Sequence, residues 1–177
     1  MSKIVFSIIF LLAVCLNAKA QNTASQQHYG HLKVGENSPN IVLKDINANE
    51  TSLSYLKGRY ILVQFWASWC KPCRVENHII KNTYSQFKDK KFMNGDEFLV
   101  LSVSLDEDPA NWRRAVHEDN IYEFVNVIDS RGVDSDIAKR YNVSSIPANF
   151  LLDGNGRIIA KNFRANELDE ILKTFAN

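Results

Sequence analysis

The stretch Val63-Gln64-Phe65-Trp66-Ala67-Ser68-Trp69-Cys70-Lys71-Pro72-Cys73 decides how this chain is read. It begins inside a continuous apolar run, Tyr60 to Phe65, of the kind buried on both faces of a parallel sheet. After it, Val75, Ile79, Ile80, Tyr84 and Phe87 recur at helical spacing, which predicts a helix over about 71–88. The two cysteines therefore fall where a buried strand gives way to a helix. Thiols at this spacing can close a disulfide with little backbone movement. A helix N-terminus beside Cys70 stabilises its thiolate, the form that attacks other disulfides. Cys73, one turn deeper, is placed to resolve the mixed disulfide that results. The pair reads as a redox device.

Working outward, Ile41-Val42-Leu43 and Thr51-Ser52-Leu53 flank a polar turn and predict a small hairpin. Phe98 to Ser104 is a second buried strand. Asp108-Pro109 then supplies an N-cap and first helical residue for a helix through Trp112, Ala115 and Val116. A short strand is expected at 124–127, and a short helix with Asp134 near its cap carries Ile137, Ala138 and Tyr141. Ile146 to Leu152 and Arg157-Ile158-Ile159 flank Asp153-Gly154-Asn155-Gly156, a hairpin signal. Asn166 is read as the cap of a last helix bearing Leu168, Ile171, Leu172 and Phe175. Strands alternating with helices imply an α/β fold, a central mixed sheet with helices on both faces.

At 177 residues, 45% hydrophobic and 23% charged, the chain suits one soluble domain, and a net charge of +1 gives no sign of a nucleic-acid partner. Lys3, the apolar stretch Ile4 to Leu16 and Ala18-Lys19-Ala20 have the layout of a secretory signal peptide. The division expected is leader 1–20, flexible tether 21–33 and folded domain 34–177, in a monomer. The apolar stretch is short of the roughly 20 residues of a membrane span. An uncleaved anchor, or lipidation through Cys15, is the alternative to release outside the cytoplasm. Cleavage removes Cys15 and leaves Cys70 and Cys73 as the mature chain's thiols. So short a loop constrains the unfolded chain very little, so stabilisation is not the purpose of the pair. A Cys-x-x-Cys is also half a zinc site, and only His28, His31, His78 and His117 are available to complete one. Redox chemistry without metal or organic cofactor is the stronger expectation.

These residues resemble a known family. Val63 to Cys73 looks like the active-site strand and turn of thioredoxin-fold proteins. Glu76, the early hairpin and the inserted βα segment around 106–127 resemble more narrowly the exported TlpA/ResA/DsbE-like thiol:disulfide oxidoreductases. The terminal hairpin with Ile158 to Asn162 is similar to the redoxin (AhpC-TSA-like) domains of Bacteroidetes-type bacteria. The resemblance covers about residues 33–177. It implies a thioredoxin-like fold and a cis-proline at Pro147 facing the cysteines, with Ile146 offering backbone groups to a bound peptide. Ala148 departs from the threonine common after that proline. The resemblance also implies that Glu76 handles protons if it points inward, where burial favours its protonated acid; the alternative is an exposed helix carboxylate near an N-terminus. Gln64 stands where thioredoxin has a buried aspartate; it cannot exchange a proton but can hold a water. Asn77-His78 replaces the Met/Phe-Pro frequent in relatives, so the usual helix kink is not expected, and His78 reads as a partly exposed helix residue.

Around the cysteines, Trp66 and Trp69 are expected to wall the site and offer an apolar docking surface, with core packing the alternative for Trp66. Pro72 fits the first helical turn, where its missing N–H is harmless. Lys71 adds a positive charge next to the thiolates unless it is simply solvated. The function this implies is reduction of disulfides in exported proteins, in some relatives for cytochrome c maturation, with electrons from a membrane thiol carrier. Two rivals remain at this point. A peroxide reductase needs Thr-x-x-Cys, and Ala67 occupies that threonine position. A non-catalytic thioredoxin-like module that binds clients or metal would leave Cys70 dispensable.

Overall fold

The computed structural model describes residues 32–177, so the expected leader, Cys15 and nearly all of the expected tether lie outside the described residues. Seven strands form one sheet: β1 (Val42–Asp45), β2 (Glu50–Ser52), β3 (Tyr60–Trp66), β4 (Phe98–Ser104), β5 (Val125–Ile128), β6 (Ala148–Leu152) and β7 (Ile158–Lys161), in the order β2-β1-β5-β4-β3-β6-β7. β3, β4 and β5 run parallel, and β6, β7, β1 and β2 are antiparallel to their neighbours. Every residue of β3 is buried, because the strand is central and covered on both faces. β1 and β2 form the hairpin expected near the N-terminus.

Four helices cover the sheet: α1 (Lys71–Phe87), α2 (Pro109–Glu118), α3 (Asp136–Arg140) and α4 (Leu168–Lys173). Alternation along β3 divides its side chains between two cores. Leu62 and Trp66 join Ile80 of α1, Trp112 of α2 and Leu168 of α4 on one face. Ile61, Val63 and Phe65 pack with Ile137, Ala138 and Tyr141 around α3 on the other. Burial of each such side chain contributes about 1.5–3 kcal/mol, and on the first face that energy fixes α1, with its cysteines, over the centre of the sheet.

Two local expectations need correction, and a third is refined. Asn166 does not cap the last helix: it lies inside a 3-10 turn, Ala165–Glu167, where the Glu167 carboxylate instead accepts the Arg164 amide at 2.7 Å. Asp134 lies next to the cap of α3, as expected, and the cap itself is Ser135. The Ser135 hydroxyl accepts from the Ala138 amide at 3.0 Å, a geometry its short side chain allows. β6 begins at Ala148, not Ile146, since Pro147 has no N–H to give the ladder.

Candidate active site

Three segments meet at the C-terminal end of β3: the turn leading into α1, the exit of β4, and the loop before β6. Asp106, buried just beyond β4, accepts the Ser68 amide at 2.9 Å, the Ser68 hydroxyl at 2.5 Å and the Ser104 hydroxyl at 2.7 Å. Both oxygens of one carboxylate thus clamp the turn ahead of the cysteines. Asp106→Ala leaves these donors without their acceptor. It is expected to cost about 2 kcal/mol, read as a lower midpoint in denaturant unfolding with an unchanged slope.

Cys70 is the N-cap of α1, and its Sγ accepts the Cys73 amide at 3.3 Å. The two cysteines form a disulfide, with Cα atoms 5.3 Å apart. Cys70 is 5% exposed and Cys73 0%, so an incoming sulfur reaches the pair through Cys70. Pro72 sits in the first turn, and Lys71 is exposed beside it. The Ile146–Pro147 peptide is cis, and the Ile146 carbonyl oxygen lies 3.9 Å from Cys70 Sγ. This loop is a ridge between two depressions. A groove of about 380 Å³ is lined by Trp69, Leu105, Val133 and Ile146. A more polar cleft of about 670 Å³ is lined by Pro72, Glu76, Pro147, Asn149 and Arg164.

The two tryptophans part company here. Trp69 is 62% exposed beside Cys70, an apolar surface without a partner among the described residues. Trp66 is fully buried in the α1-side core, so it supports the site from below and cannot form a docking surface. The inward face of the central strand takes it, as the alternation along β3 requires.

Glu76 is half-buried on α1, its Oε2 accepting from Asn149 Nδ2 at 2.9 Å and its Oε1 from the Ala165 amide at 3.3 Å. Gln64, fully buried, donates through Nε2 to Asn77 Oδ1 at 3.1 Å. Asn77 in turn donates to Asp119 Oδ2 at 2.7 Å, and Arg74 Nε reaches the same oxygen at 2.6 Å. Arg74 also contacts Glu118 at 3.0 Å and the Ser68 carbonyl at 3.4 Å. Its hydrogen bond to Asp119, opposed by burial and reinforced by Glu118, raises the Arg74 pKa and holds the guanidinium charged. His78 is exposed, 3.8 Å from Asp119. α1 runs unbroken through Asn77-His78.

Sequence reasoning missed Asp106, Asp119, Asn77 as a buried link, and Asn149. The Asn149 signal was present, a polar residue one position into an apolar strand beyond Pro147. Asp119 had none, because its partners lie far off in sequence. Among the described residues, no group of three or more His, Cys, Asp or Glu side chains is arranged to hold a metal.

A thioredoxin-like sheet carrying a disulfide at the N-terminus of its central helix, opposite a cis-proline, defines a class of dithiol exchange proteins. The chain belongs to the AhpC/TSA family, whose pattern matches residues 34–161. It is 28% identical over 178 residues to the thiol-disulfide oxidoreductase ResA of Bacillus thuringiensis subsp. konkukian, covering 97% of this chain and 96% of the relative. Among solved structures it is similar to the thioredoxin domain of a thiol-disulfide oxidoreductase from Bacteroides vulgatus, at 33% identity and a TM-score of 0.74. That match covers 82% of this chain and 99% of the other. A thiol:disulfide interchange protein from Bacteroides sp. matches at 33% identity and a TM-score of 0.73, covering 82% and 91%. With Cys70 and Cys73 as its redox pair, the chain is a thiol-disulfide oxidoreductase.

Proposed function

We propose that this protein acts outside the cytoplasm as a reductant of disulfides in exported proteins, in the manner of its ResA-type relatives, with cytochrome c maturation as one destination for the electrons. The observation that carries this is the asymmetry of the pair: Cys70 keeps the pair's small solvent contact and Cys73 is fully enclosed. In the reduced protein the Cys70 thiolate attacks one sulfur of a client disulfide, forming a mixed disulfide and releasing one client thiolate. Cys73 then gives up its proton and attacks Cys70 Sγ. This closes the Cys70–Cys73 disulfide and frees the second client thiolate, which takes up a proton. Two electrons have passed to the client, and the protein is left in the oxidised state described above. A dithiol carrier at the membrane restores the reduced form.

Trp69 and the Ile146 backbone receive the client chain, Pro147 shapes that surface, and Lys71 and Pro72 tune the pair. Glu76 receives the proton from Cys73, one helical turn away. The experiment that tests the direction is a reduction potential measured against glutathione or dithiothreitol. A value near thioredoxin's, about −270 mV, supports the reading, and one near about −120 mV, as in strong oxidants, overturns it. Glu76→Gln is expected to slow release of the mixed disulfide by about a hundredfold while leaving the first attack unchanged. Stopped-flow tryptophan fluorescence on Trp69 separates the two steps, and equal rates of release in both proteins would remove Glu76 from the mechanism.

A further inference from the structure

A row of polar residues crosses the sheet directly beneath α1. The register pairs Asn126 of β5 with Ser102 of β4, Ser102 with Gln64 of β3, and Gln64 with Asn149 of β6. Paired positions point to the same face, and here it is the face of Leu62, Val100 and Leu151, on which α1 packs. All four side chains are buried. Each has a polar atom without a hydrogen-bond partner among the described residues: Asn126 Oδ1, Ser102 Oγ, Gln64 Oε1 and Asn149 Oδ1. Three of the four are carbonyl-type acceptors, and the Ser102 hydroxyl has a single proton to offer. A buried acceptor left unmet is costly, and although the Trp66 and Trp112 indole N–H groups are also unpaired in this core, four such atoms aligned in one row call for a partner supplied from outside the chain.

We propose that this row binds buried water, and that the water seated between Gln64 Oε1 and Asn149 Oδ1 stations the proton that leaves Cys73. Cross-strand partners have Cβ atoms about 4.5–5.5 Å apart, a gap one water spans by donating to both oxygens. A buried site of this kind needs two to four polar partners, and the lone pairs of that water remain free to accept. Cys73 and Asn77 lie one turn apart on one face of α1, and Asn77 is bonded to Gln64, so Cys73 stands over this part of the row. Asn149 faces both ways, with its amide nitrogen on Glu76 Oε2 and its amide oxygen toward the water.

The role of Glu76 taken here rests on the function proposed above. When Cys73 attacks Cys70 Sγ, its thiol proton passes to the water. The water turns one of its two protons away from Asn149 Oδ1 and passes it to the Glu76 carboxylate held by the same side chain, and is left as water. Asn149 and Gln64 touch neither sulfur and neither gain nor lose a proton in this scheme. They are positioning residues, one fixing Glu76 and both fixing the water.

Two measurements on the full chain test the proposal. In the folded wild-type protein, water-to-amide cross-peaks in rotating-frame NMR are expected at the side-chain NH₂ groups of Gln64 and Asn149. Their absence, with the amide signals assigned and protected, overturns the water site without any variant having to fold. In stopped flow, Asn149→Leu is expected to slow release of the mixed disulfide by about tenfold, with the first attack by Cys70 unchanged. Asn149→Ser, which keeps a hydroxyl on the row, is expected to recover most of that loss. Asn149→Leu added to Glu76→Gln should slow release little further, because both act on one proton path. Full-rate release in Asn149→Leu alongside slow release in Glu76→Gln overturns the row's role and leaves Glu76 standing. The reverse pair of results overturns the role of Glu76 and leaves the water site standing.

Discussion

Cys73→Ser is expected to accumulate as a covalent adduct with its client, while turnover falls by at least about a thousandfold. The reason is the unequal placement of the two sulfurs. Cys70, at the N-cap of α1, retains everything it needs for the first attack: the helix N-terminus, the exposed Trp69 beside it and the open face of the Ile146–Pro147 ridge. Serine at 73 keeps the amide that donates to Cys70 Sγ, since that contact comes from the backbone. What it lacks is a nucleophile able to attack the mixed disulfide, because a hydroxyl at this position is neither ionised nor soft enough. The adduct should appear as a higher band on a non-reducing gel, vanish on reduction, and identify the client by mass spectrometry. Cys70→Ser is the control and should form no adduct. Were Cys73→Ser to turn over normally, or to capture partners only non-covalently, disulfide exchange with proteins would be the wrong chemistry for this pair.

The parts of this site that could be read in the sequence are those that local rules control. The run Tyr60 to Phe65 announced a strand covered on both faces, and the spacing of Ile80, Tyr84 and Phe87 placed α1 to within a residue of its observed end. Asp108-Pro109 and Asp153-Gly154-Asn155-Gly156 marked a helix start and a hairpin because caps and turns are chemistry of neighbours along the chain. The misplacements were local competitions decided by geometry, as where the Glu167 carboxylate reached the Arg164 amide and left Asn166 inside a turn. Trp66 shows the limit of a motif: beside the cysteines in sequence, it faces inward because strand alternation leaves it no other side.

The polar row beneath α1 was legible only in fragments. Gln64, Ser102, Asn126 and Asn149 each interrupt an apolar run in a different strand. Taken singly, each reads as an isolated exception. Only the register aligns them, and register is a property of the assembled sheet. The same holds for Asp106 and Ser68, joined across 38 positions, and for Asp119 and Arg74, joined across 45. A carboxylate with buried donors leaves no periodicity behind. Its signal is the set of partners, and the fold supplies those.

Asp119→Ala should be the most destabilising substitution outside the apolar cores, costing about 3–4 kcal/mol. The Asp119 carboxylate is 3% exposed and closes α2 at its C-cap. There it receives Arg74 at 2.6 Å and Asn77 at 2.7 Å, both from α1. Removing it leaves the Asn77 amide buried without an acceptor, on the same side chain that holds Gln64. Arg74 keeps only Glu118 and the Ser68 carbonyl, and Glu118 is more than half exposed. At about 2–4 °C per kcal/mol for a chain of this size, Tm should fall by about 10 °C. Glu118→Ala, which removes only the solvent-screened partner, should cost under about 1 kcal/mol, and that contrast separates the buried tie from the exposed one. Below the transition the Asp119→Ala protein should still reduce disulfides at a rate within a few-fold of wild type, because no atom of Asp119 reaches the sulfurs. A variant with unchanged Tm would show that the tie between α1 and α2 contributes nothing to stability. A variant of normal Tm that lost exchange would move Asp119 from the scaffold into the redox chemistry.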